Sequence, residues 1–144
     1  MIRHAGLIAR RVDGDWRGVL IEGPSGIGKS DLALRSLDQG FSLVADDRVI
    51  LFASGGALWG RAPESLAGLI EVRGLGVTAR PYRALCRVSL LIRCVAGPEA
   101  VERLPDPRCE TLAGVALPSV DLWPLEPAAP AKIRHMIEHL GVVG

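Results

Sequence analysis

The eight residues Gly23-Pro24-Ser25-Gly26-Ile27-Gly28-Lys29-Ser30 match the pattern G-x-x-x-x-G-K-[ST]. Glycines at these places let successive backbone N–H groups turn inward around an anion at the start of a helix, where the helix dipole favours negative charge. In that setting Lys29 would lie against the β- and γ-phosphates of a nucleotide, and the Ser30 hydroxyl would ligate Mg²⁺. An apolar run ending in two carboxylates, Leu43-Val44-Ala45-Asp46-Asp47, stands where a second acidic strand end would meet phosphates and metal. Adjacent carboxylates repel, so one can keep a raised pKa and accept a proton while the other stays ionised. A solvated Asp-Asp turn is the ordinary alternative.

Further along, Glu71 and Arg73 lie two apart, on one face of a strand, and are followed by Gly74 and Gly76. Such a pair could hold metal and a phosphate oxygen, or form a plain surface ion pair. His135 and His139, four apart on a predicted helix, have no third ligand in view and read as a solvated face.

These groups need a scaffold, and the patterning predicts one. Apolar runs at Ala5 to Arg10 and Gly18 to Glu22, separated by a segment containing Asp13-Gly14, read as neighbouring strands. The second run leads directly into the glycine loop. Leu32, Ala33 and Leu37 then recur at helical spacing over Lys29 to Leu37, with Gly40 as a left-handed stop, and Phe41 to Ala45 reads as a buried strand. Val49 to Ala53 and Ala57 to Arg61 flank Ser54-Gly55-Gly56 as a hairpin. Leu66 to Val72 is a further apolar stretch broken by Gly74-Leu75-Gly76, and Cys86 to Cys94 alternates as a strand with one dry face. Gly97 to Arg108 reads as a surface loop or a helix with irregular ends. Val115 to Trp123 supplies one more strand, and Ala129 to Leu140 an amphipathic helix with Ile133, Met136, Ile137 and Leu140 on its apolar side.

A chain of 144 residues, 49% apolar, is expected to form a single domain over 1–144. Lys+Arg 17 against Asp+Glu 16 leaves a formal charge of +1, too even a balance for a nucleic-acid or anionic-membrane surface. The positive residues are almost all arginine, with lysine only at Lys29 and Lys132. No apolar run reaches the roughly 18 residues that span a bilayer, and the first residues lack a secretory layout, which predicts a cytoplasmic protein. Cys86, Cys94 and Cys109 are odd in number and lack C-x-x-C spacing, and so are expected as buried reduced thiols.

Three blocks in this order, Gly23 to Asp31, Leu43 to Val49 and Leu69 to Val77, resemble the catalytic domain of the bacterial HPr kinase/phosphorylase family, the serine kinase of a sugar phosphotransferase carrier. His4, ahead of the loop, is a weaker fourth element. The resemblance spans His4 to Val77, with a looser continuation, and implies an α/β P-loop fold with a mixed β-sheet flanked by helices. It implies ATP-dependent phosphorylation of a serine of HPr, and in reverse the phosphorolysis of phosphoserine-HPr by inorganic phosphate to give pyrophosphate. Under it Gly23 to Ser30 bind the nucleotide, Ser30 and Glu71 bind Mg²⁺, and Asp47 is proton acceptor forward and donor in reverse. Asp46 and His4 would orient or tune Asp47, Arg73 would belong to the loop that meets the phosphoryl group, and Arg103 looks like the family's later catalytic arginine.

A homohexamer is also implied. Two features depart from the family. The chain begins close to the catalytic domain, resembling the short proteins of alphaproteobacterial type, and the family's late P-x-x-P-G-R-N-like loop is replaced by Glu126 to Lys132, where Lys132 could restore positive charge. Two other readings of the loop stay open: a P-loop kinase of a small molecule, and a non-catalytic module that senses ATP for a partner.

Overall fold

In the computed structural model, which describes residues 1–140, a short strand β1 (Ile2–Arg3) leads into the long hairpin β2 (Ala5–Val12) and β3 (Asp15–Glu22). That hairpin turns at Asp13-Gly14, both at positive φ, and pairs in register from Ala5↔Glu22 to Val12↔Asp15. The glycine loop follows β3 and opens α1 (Lys29–Leu37), after which β4 (Ser42–Ala45), β5 (Val49–Ser54) and β6 (Ala57–Arg61) appear as expected. Next come β7 (Leu69–Val72), β8 (Gly76–Ala79), β9 (Cys86–Cys94), β10 (Arg108–Leu112), β11 (Val115–Leu122) and α2 (Ala129–His139).

Among the described residues nine strands join in one mixed sheet, ordered β1-β5-β6-β9-β3-β2-β4, with β11 pairing the carboxyl half of the β9 edge whose amino end pairs β6, and β10 beyond it. The pairings decide which strand ends meet. β9 runs parallel to β3 and to β11, whereas β2 is antiparallel to both β3 and β4. The carboxyl ends of β3, β4, β9 and β11 therefore share one edge with the amino end of β2, and ligands of such sheets gather at that kind of edge.

Alternation along the strands sends side chains to two cores. Ile8, Val19, Ile21, Leu90 and Ile92 face one way and pack with Leu32 and Ala33 of α1 and Ile133 and Ile137 of α2, so both helices cover the same face. Leu7, Leu20 and Leu91 face the other way and pack with Val49, Leu51 and Leu58, where the sheet curls and covers itself. Gly60 makes the curl possible, because a Cβ there would stand 2.6 Å from Leu7 Cδ2.

Several expectations need correction. The broken apolar stretch near Leu66 is a 3₁₀ turn at Glu64–Leu66 followed by the separate two-stranded hairpin β7–β8. Gly97 to Arg108 is the expected surface loop, largely exposed, with a single 3₁₀ turn at Pro98–Ala100, and it ends where Arg108 opens β10. Cys109 is exposed, since β10 is an edge strand paired to β11 alone, while Cys86 and Cys94 are buried as expected. Burial pushes both of those thiols up to about 11.

Candidate active site

The glycine loop leaves β3 at the common edge. Gly28 holds φ 114 as the N-cap of α1, a conformation that penalises any side chain. Having no side chain, it caps none of the first amides of α1, which stay open to an incoming anion. Lys29 Nζ folds back over the loop and donates to the carbonyls of Gly23 at 2.5 Å and Pro24 at 3.1 Å. The loop thus carries an ammonium group over a row of backbone donors. Pro24, Ser25 and Gly26 are exposed at its crest.

Asp46 is the best-held group in the site. It is 4% exposed, and its carboxylate accepts the Ser30 hydroxyl at 2.8 and 3.0 Å and the Glu71 amide at 3.0 Å. Burial pushes its pKa above the ordinary value; the amides of Glu71 and Asp47 and the Ser30 hydroxyl oppose that, and the neighbouring Asp47 charge adds slightly to it. The repulsion expected between the two aspartates is therefore the smallest contribution, and desolvation the largest.

Asp47 faces solvent at φ 69, a left-handed backbone that aspartate tolerates better than most residues. A tight turn from the Arg48 amide to the Asp46 carbonyl, 2.8 Å, sets this geometry. His4 lies in the bend before β2, and the amide of the next residue, Ala5, donates to the Asp47 carbonyl at 3.2 Å. His4 and Asp47 are thus brought to adjoining positions from opposite ends of the sequence that separates them.

The hairpin β7–β8 docks on this cluster through the Glu71 amide, not through its side chain, which is exposed. Arg73 does not share a strand face with Glu71. β7 ends at Val72, and the Leu75 amide bonds the Val72 carbonyl at 2.9 Å, closing a turn that carries Arg73 and Gly74 at the hairpin tip. Arg103 is exposed in the irregular segment between β9 and β10, on the same edge but outside the cluster. Lys132 is engaged with Glu126 at 2.5 Å, so its charge is already answered. His135 and His139 stack at 4.2 Å on α2, with His139 Nδ1 2.7 Å from the His135 carbonyl.

Sequence reasoning missed Arg3, whose guanidinium grips Glu22 with two bonds of 2.7 and 2.9 Å and ties β1 to the end of β3 just ahead of the loop. Nothing local signals a contact between residues 19 apart. It also missed Arg35, although Asp31 four residues earlier offered a helical pairing signal, realised at 2.9 Å.

Among the described residues no three His, Cys, Asp or Glu side chains converge as a metal cage. The Ser30 hydroxyl and the Asp46 carboxylate, side by side, are oxygen donors of the kind from which Mg²⁺ takes one or two beside its waters and phosphates. A cavity of about 820 Å³ opens at the other edge, between Trp16, Trp59, Arg83 and Arg87. It is remote from Lys29 and Asp46, and the charged groups at the carboxyl edge, not this volume, define the candidate site.

Comparison with known proteins bears on the same features. Residues 11–80 match the family model of the HPr Serine kinase C-terminal domain. An HPr kinase/phosphorylase of Streptococcus thermophilus is 54% identical over 61 residues, 42% of this chain and 20% of the relative. One from Leptothrix cholodnii is 46% identical over 87 residues, 60% of this chain and 23% of the relative. The chain thus spans between a fifth and a quarter of the length of these relatives. The solved Hpr(Ser) kinase/phosphatase from Coxiella burnetii superposes with a TM-score of 0.82 at 28% identity, covering 100% of this chain and 99% of that one. What three short blocks suggested extends to the whole architecture: the chain is similar to the HPr Serine kinase C-terminal domain over residues 11–80 and shares the fold of a solved Hpr(Ser) kinase/phosphatase along its length.

Proposed function

We propose that this chain transfers the γ-phosphoryl group of ATP to a serine hydroxyl of the phosphocarrier HPr, and that the same site runs in reverse with inorganic phosphate. The observation that carries this reading is the contact of Ser30 with Asp46, which places the loop serine, the loop lysine and a pair of carboxylates on one edge. Phosphoryl transfer asks little covalent chemistry of a protein; positioning and neutralisation of charge supply most of the rate. Here the loop amides and Lys29 would cradle the phosphates. Mg²⁺ arriving with the nucleotide would be held by Ser30 with Asp46 or Glu71, and would supply charge neutralisation.

Asp47, exposed beside the buried Asp46, is the carboxylate that an incoming hydroxyl can reach. It would accept the serine proton as the hydroxyl oxygen attacks, and return a proton to the serine oxygen when phosphate attacks phosphoserine, as microscopic reversibility requires. His4 would help to orient it, and Arg73 would be carried to the transferring group by the hairpin. A protein acceptor is favoured over a small molecule by Leu75 and Val77, which stand 78% and 66% exposed on that hairpin. The family resemblance adds a homohexamer, which sedimentation would reveal.

The test is transfer of label from γ-³²P-ATP to HPr, with HPr lacking its acceptor serine as control. Asp47→Asn isolates the carboxylate, because asparagine also tolerates the left-handed backbone, and should lower kcat by about 10²–10⁴ with ATP binding retained. Label that persists at full rate in Asp47→Asn, or that never depends on the HPr serine, would sink the proposal.

A further inference from the structure

The loop and the aspartates account for the phosphates and the reacting end of the donor, but not for the remainder of the molecule. Asp46 and Asp47 lie at the end of β4, on the β2 side of β3. A donor whose terminal phosphate faces them must extend its other end the opposite way, over β9 and β11. At the end of β11 the chain makes a turn through residues 123–126, closed by the Glu126 amide on the Trp123 carbonyl at 3.3 Å. Arg35 of α1 clamps this turn, donating to the carbonyls of Pro124 and Glu126.

The turn abuts the glycine loop itself: a Cβ on Gly28 would stand 3.1 Å from Leu125 Cδ2 and 3.6 Å from Pro124 Cγ. Leu125 is nevertheless 57% exposed, an apolar side chain held in place with much of its surface open. Since Glu126 is paired with Lys132, the turn offers no free carboxylate to repel a phosphate chain.

We propose that Leu125, seated with Pro124 beside Gly28, is the platform on which the base of a nucleoside triphosphate rests; this depends on the phosphate-binding reading of the loop. Pyrophosphate, which has the phosphates and no base, would use the loop without the platform. Leu125 therefore sets the advantage of a nucleotide donor over an inorganic one.

Titration calorimetry of the purified chain with ATP and with pyrophosphate, each with Mg²⁺, separates the two. Leu125→Ala should weaken ATP about five- to tenfold, as expected for removing an apolar contact, and change pyrophosphate by less than about twofold. Leu125→Met should restore ATP affinity. Equal weakening of both ligands would mean that Leu125 only props the loop, and would overturn the proposal. Unchanged ATP affinity in Leu125→Ala would overturn it alone. A wild-type chain that binds neither ligand would remove the phosphate-binding reading, and this proposal with it.

Discussion

A carboxylate as enclosed as Asp46 must be held by donors, and it accepts Ser30 from the loop and Glu71 from the hairpin. Its raised pKa has a consequence for stability. Between its ordinary value near pH 4 and the higher folded value, the folded chain retains a proton that the unfolded chain has lost. Stability must therefore fall as pH rises through that window, and the full cost of burying the charge is present above it. Asp46→Asn removes this slope while keeping an acceptor oxygen for one of its donors. Urea unfolding across pH should show the variant gaining on the wild type as pH rises above about 4, whereas parallel curves would show that burial of the charge carries no cost. The same variant should lose affinity for Mg²⁺-nucleotide, so the group that burdens the fold would be the one that serves the site.

At the scale of elements, the hairpin β7–β8 is the least anticipated part. Its strands are short, it belongs to a sheet of its own, and its tip carries Arg73, Gly74 and Leu75 into solvent. An exposed leucine on a projecting turn adjacent to the proposed catalytic cluster fits contact with a protein acceptor. Leu75→Asp should lower kcat/KM for HPr by roughly tenfold, the effect of a central apolar contact, with ATP affinity unchanged. Loss of ATP binding in that variant would instead mark the hairpin as part of the nucleotide site. The strands and both helices were largely legible in the sequence, because alternation, helical spacing and the Asp13-Gly14 and Gly55-Gly56 turns act between near neighbours. β7–β8 was not, since Gly74 and Gly76 announce a bend without saying that it closes a pair. β10 escaped because an exposed edge strand has too little apolar alternation to display.

For the whole molecule, stability rests on two cores separated by one sheet, and Leu7 lies fully buried where the sheet curls across itself. Leu7→Ala should cost about 2–5 kcal/mol, read from the urea midpoint, because Gly60 opposite has no side chain with which to fill the gap. A smaller loss would mean that the curl relaxes onto the cavity. The placement of both helices on one face follows from the same arrangement, since the other face is already covered by β5 and β6.

By itself the sequence determined the glycine loop, the strand before it and the helix after it, and the order of the three blocks that carry the family resemblance. These depend on backbone conformation and side-chain periodicity over a few residues. Only the tertiary structure decided that β2 stands between β3 and β4, that the Ala5 amide after His4 bonds the Asp47 carbonyl, that Arg3 holds Glu22, and that Asp46 is the buried carboxylate and Asp47 the open one. Two adjacent aspartates are equivalent in a string of letters. What separates them is the left-handed turn at Asp47, and the burial of Asp46 beneath a loop and a hairpin brought together from distant parts of the chain.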